Sequence, residues 1–171
     1  MPDIGTATAS GPAGHEALVT RQARRLSGLR KNSAAICVML LAEYGLGMGV
    51  NLYIHVPPAD RGGIAAALGR ALTSQPAALA VHAGLGLLML IAGVSVLIRA
   101  IMARYWPAIV ASAAGLLAIA GAAGSGASFV SDGQTGASMA MAVLTGVALL
   151  CYLGNLVTAG SPAVIKREGR R

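Results

Sequence analysis

Charge is what this chain has least of: Asp, Glu, Lys and Arg make up only 11% of its 171 residues, under half of the roughly 25% usual in a globular domain. A water-facing surface needs such residues, so an ordinary soluble domain is a poor reading. Aromatic residues are also scarce, at 4% with one Phe and one Trp, which excludes a core built on bulky rings. Only two cysteines occur, Cys37 and Cys151, both inside apolar runs. They give neither a disulfide framework nor a metal spacing, and they read as buried small apolar side chains. No Walker loop, HExxH, GxSxG or zinc spacing is present, which argues against soluble-type nucleotide or hydrolase chemistry.

What remains is apolar and small. Hydrophobic residues reach 56%, mean hydropathy is +0.69 and there are 23 glycines. Four apolar stretches, about 33–54, 77–98, 106–129 and 138–158, each approach the ~20 residues that cross a ~30 Å hydrocarbon core. None shows the alternation of barrel strands, and only helices satisfy every backbone group within one such segment. The predicted fold is all-α, a transmembrane antiparallel four-helix bundle. Residues 1–32 form a basic cytoplasmic tail, partly disordered, whose stretch from His15 to Lys31 can continue as a juxtamembrane helix; residues 159–171 form a second basic tail. Pro107 falls in the first turn of the third helix, where its missing N–H is harmless.

The net charge of +7 does not describe a nucleic-acid-binding face, because the basic residues stand at the ends of apolar runs. Eleven of the 13 lie in the N-terminal tail (Arg21, Arg24, Arg25, Arg30, Lys31), beside Arg99 and Arg104, or in the C-terminal tail (Lys166, Arg167, Arg170, Arg171). Only Arg61 and Arg70 lie on the other side. The positive-inside rule then predicts a multi-pass protein of the plasma (inner) membrane with both termini cytoplasmic. The expected partners are the lipid bilayer and either another membrane protein or a second copy, with no nucleic acid.

Few residues in the spans carry chemistry. Glu43 stands near the middle of the first, where a charged carboxylate costs about 2.5–3.5 kcal/mol on insertion scales. It reads either as a proton-relay or ligand carboxylate, or as a protonated side chain that specifies packing. Gly47, Asn51 and His55 follow it at i+4 intervals, a slanted polar groove whose gap at Gly47 admits a partner helix, a water or a ligand. His82 lies about a turn inside the second span, with Gly86 and Gly93 on its broad face. His55 and His82 are the candidate cofactor-binding residues for haem, although His55 lies shallower than a bis-histidine site requires. In the fourth span Ser138, Thr145 and Tyr152 recur at heptad spacing with Asn155 beyond, and interhelical hydrogen bonding is their expected role. Glu43, Asn51 and Tyr152 form the candidate intramembrane polar site. Gly124 and Ser128 are a small-xxx-small pair suited to close helix approach.

The run Val81-His82-Ala83-Gly84-Leu85-Gly86-Leu87-Leu88 resembles the His-bearing helices of four-helix membrane haem proteins such as haem A synthase. That resemblance covers one helix and implies haem; those families draw several histidines from their helices, while the third and fourth spans here contain none. The Gly-x-Gly-x-Gly-Val-Asn-Leu-Tyr segment at 45–53 and the Ala/Gly-rich style resemble small four-pass membrane proteins of actinobacteria, which implies no mechanism. Three function classes stay open, and whether the protein is an enzyme is left undecided. The default is a structural or accessory subunit of a membrane assembly. The alternatives are a redox module binding haem or another lipophilic cofactor at His55 and His82, and a proton- or small-solute-handling protein using Glu43.

Overall fold

In a computed structural model of the protein, the described residues are 12–53, 65, 69, 72, 73, 77–132 and 135–159. Four long helices carry nearly all of them: α1 (Pro12–Tyr53), α2 (Ala77–Ala103), α3 (Trp106–Asp132) and α4 (Thr135–Thr158). All four are long and apolar enough to cross a membrane, over Ala23–Val50, Ala77–Ala103, Trp106–Phe129 and Gly136–Thr158. Each helix packs on two others, α1 on α2 and α4, and α3 on α2 and α4. The expected helical content and four membrane-length helices are present.

Two boundaries differ from the sequence expectation. The helix α1 begins at Pro12, so the juxtamembrane helix expected from His15 to Lys31 runs without a break into the first apolar stretch; residues 1–11 lie outside the described residues. Residues 15–31 are rich in Arg and Leu, which favour a helix, and Leu26 and Leu29, three apart, are buried in the core. At 42 residues, α1 is about 60 Å long at 1.5 Å per residue, twice a ~30 Å hydrocarbon core. Likewise α2 continues past Ile98 to Ala103, because Ala100 and Ala103 are small enough to stay buried in the bundle.

The turn between α2 and α3 takes only Arg104 and Tyr105. Arg104 adopts φ 53°, and its N–H donates to Ile101 O at 2.9 Å. The first turn of α3 opens with Ile109 N–H donating to Tyr105 O at 3.1 Å, and Pro107 sits in it without losing a bond. Arg25 of α1 donates from Nη1 to Met102 O at 2.7 Å. This places a cation on the free carbonyls at the α2 C-terminus, where the helix dipole favours it.

The core is narrow and the outside is apolar. No more than a third of each membrane-length segment is buried inside the bundle. Val38, Leu41, Val81, Ile91, Ile98, Leu117, Leu150 and Val157 are among the large apolar side chains facing outward. Apolar surface on every helix suits a lipid solvent and would aggregate in water. Several hydroxyl groups are handled locally: Ser95, Thr145 and Thr158 donate to carbonyls four residues back, at 3.0, 2.8 and 2.8 Å. Such bonds remove the cost of an unpaired hydroxyl in an apolar medium.

Candidate functional site

Small residues decide where the polar side chains go. On α1, Glu43 is followed one turn later by Gly47; on α2, His82 is followed one turn later by Gly86. The two helices meet so that each polar side chain lies over the other helix's glycine. A β-carbon added at Gly47 would stand 3.1 Å from His82 Cε1, and one added at Gly86 would stand 3.3 Å from Glu43 Oε1. The glycines thus make two facing notches, and the side chains seated in them touch. His82 Nδ1 lies 3.0 Å from Glu43 Oε1.

The contact is a close approach rather than a directed hydrogen bond, because Nδ1 and the carboxyl are not aligned for one. Glu43 is buried, with 7% of its surface exposed, and its second oxygen, Oε2, has no hydrogen-bond partner. A half-satisfied carboxyl group in an apolar interior is expensive. It is the kind of feature that calls for a role.

Both residues line a cavity of about 390 Å³ among all four helices, within the ~300–1,000 Å³ of small-molecule sites. Its walls are mostly apolar, with Leu40 and Val50 from α1, Leu79 and Met89 from α2, Phe129 from α3 and Met141 from α4. The polar side chains in the lining are Glu43, His82, Ser138 and Thr145, and none of the lining residues is Lys or Arg. The cavity occupies the half of the bundle away from Arg25, Arg99 and Arg104.

A second polar group lies deeper in the core. Asn155 of α4 donates from Nδ2 to Ser112 Oγ of α3 at 3.0 Å, with both side chains fully buried. One turn away, Tyr152 is wholly buried. Its ring packs over Gly115 and its hydroxyl lies beside Gly93, without a hydrogen-bond partner. Cys37 and Cys151 are both free thiols.

The sequence candidates therefore separate. Glu43 and His82 come together, whereas the sequence pattern groups Glu43 with Asn51, and His82 with His55. The gap expected at Gly47 is filled by His82. Tyr152 belongs to the inner packing group and is not among the residues lining the cavity. Thr145 bonds its own helix rather than a neighbour, while Asn155 makes the interhelical bond expected of it, to a Ser112 that carries no signal in the sequence. His55 and the side chain of Asn51 lie outside the described residues. Haem ligation as expected needs His55 as well as His82; among the described residues His82 is packed on Gly47 and stands against Glu43.

No protein family, curated protein or solved structure matches the chain.

Proposed function

We propose that this is a multi-pass plasma-membrane protein, an antiparallel four-helix bundle with cytoplasmic termini, that takes a small molecule into the cavity beside Glu43 and His82. Insertion is supported by four membrane-length helices with apolar outer faces. The antiparallel arrangement is supported by the order of contacts, since residues 25, 28, 43 and 47 of α1 meet residues 102, 99, 86 and 82 of α2. Orientation rests on the eleven cations gathered in the tails and the α2–α3 turn.

The observation that carries the binding role is the buried Glu43–His82 contact in the wall of a 390 Å³ cavity. A carboxyl at mid-span costs about 2.5–3.5 kcal/mol, and a leucine would pack two helices without that cost. Retaining an acid and an imidazole next to open space makes sense where something enters that space. The test is a thermal-stability screen of the protein in lipid nanodiscs against small apolar amines, acids and neutral compounds. Wild-type protein should be stabilised by at least one class, and Ala83→Leu, which narrows the cavity beside His82 and Gly86, should weaken that response.

The accessory-subunit reading competes directly. There Glu43 and His82 only join α1 to α2, and the binding partner is another membrane protein or a second copy docked on the outer apolar face. It predicts no ligand response in either protein, and an assembly that survives Glu43→Gln.

A further inference from the structure

Resting on the cavity as a binding site, we infer that its ligand is a monocation with an apolar body, a primary or secondary ammonium on an aryl or alkyl frame of modest size. Three observations select that class. The walls are predominantly apolar, so most of the ligand's surface is hydrocarbon. The one acidic side chain in the lining is Glu43, and no Lys or Arg of the lining stands against it. Glu43 Oε2 has no donor among the described residues, and an ammonium N–H supplies a donor and a countercharge together.

An anionic ligand fits worse on each count. It would bring a negative charge to a buried carboxyl, leave Oε2 without a donor, and find only the imidazole to offset it. A neutral hydrocarbon would fill the space and leave Oε2 as it is. Glu43 is thus the specificity-determining group, and His82, held in the Gly47 notch, stands 3.0 Å from its other oxygen.

The experiment compares three molecules of one shape on the intact protein in nanodiscs: 2-phenylethylammonium, its neutral isostere propylbenzene, and the anion 3-phenylpropanoate. Binding is read by titration calorimetry, with partition into empty nanodiscs subtracted. The ammonium should bind saturably and the other two about 30-fold more weakly or not at all, and Glu43→Gln should weaken the ammonium by about 30-fold or more. If propylbenzene or the anion binds as well as the ammonium, and Ala83→Leu weakens that binding, the cavity is a site and the cationic assignment is wrong. If none of the three binds saturably, the cationic assignment and the binding role fall together. Because the three-ligand comparison uses unaltered protein, it decides between these outcomes even where the Glu43→Gln variant fails to fold.

Discussion

The ring of Tyr152 sits so close over Gly115 that a β-carbon there would stand 2.8 Å from Cε2 and 3.0 Å from Cζ. Tyr152 is fully buried and cannot swing away, and Cys151 Cβ would lie 3.3 Å off on the same side. Gly115→Ala should therefore destabilise the bundle by about 1–3 kcal/mol, the usual cost of overpacking. Gly124 and Gly146 have nothing within 4 Å of an added β-carbon, so Ala there should be neutral or stabilise by up to about 1 kcal/mol through helix propensity. Unfolding curves in mixed detergent micelles separate the three variants; an equal response at all three positions would contradict the packing described.

The hydroxyl of Tyr152 makes a second, independent prediction. It is buried without a hydrogen-bond partner, so it contributes shape through its ring and nothing through its oxygen. Removing an unsatisfied polar group is neutral or favourable. Tyr152→Phe should retain or raise stability, whereas Tyr152→Ala should lose about 3–5 kcal/mol as a large cavity opens. A loss of more than about 1 kcal/mol for the Phe variant would mean that the oxygen has a partner, such as a trapped water.

Asn155 and Ser112 tie α4 to α3 through one buried side-chain bond of 3.0 Å. Interhelical bonds of this kind contribute about 0.6 kcal/mol on average in apolar surroundings and up to about 1.7. Ser112→Ala leaves the Asn155 amide without that acceptor, and Asn155 Oδ1 already lacks a partner. The expected loss is about 1 kcal/mol, and a double-mutant cycle with Asn155→Ala should return a coupling of similar size. A coupling near zero would show that the two side chains do not depend on one another.

How much of this is legible in the sequence follows from what each feature depends on. Four membrane-length helices need only local composition, so they can be read from apolar runs and the placement of Lys and Arg. The early start of α1 is half visible in the helix-forming stretch from His15 to Lys31; the burial of Leu26 and Leu29 is not, since it depends on what packs there. Glu43 and His82 each stand out, and so does the glycine one turn after each. Their pairing does not, because it depends on how α1 and α2 are rotated about their axes. Helices apolar on nearly every face carry little amphipathic signal to set that rotation. The available clue is the matched spacing, Glu-x-x-x-Gly on one helix and His-x-x-x-Gly on the next. Ser112 is hidden for the opposite reason, as one small hydroxyl in an alanine-rich run gives no local sign of a partner.

Arg104 holds a left-handed backbone at φ 53° in the two-residue turn joining α2 and α3. For a residue with a β-carbon that conformation costs about 1–2 kcal/mol, and glycine escapes it. Arg104→Gly should raise stability by about 1 kcal/mol, while Arg104→Val, β-branched at the same φ, should lower it. The same substitutions test topology, since Arg104 is one of the cations assigned to the cytoplasmic side. With the two tails still basic, an affinity tag at either terminus of Arg104→Gly should stay inaccessible from outside intact cells, as in wild type.

The reciprocal notches give the sharpest test of the polar pair. A β-carbon at Gly47 would press on the His82 imidazole at 3.1 Å, and one at Gly86 on the Glu43 carboxyl at 3.3 Å. The neighbour in each case is the end of a side chain that can rotate, so the helices need not separate. Gly47→Ala should push His82 off Glu43 with little change in stability, because the lost contact is offset by about 1 kcal/mol of helix propensity. The imidazole ¹⁵N resonances of His82 should shift on Glu43→Gln in the wild-type background and hardly at all in the Gly47→Ala background, where the contact is already gone. A full Glu43-dependent shift that persists in the Gly47→Ala background would show that the glycine is not what seats the imidazole.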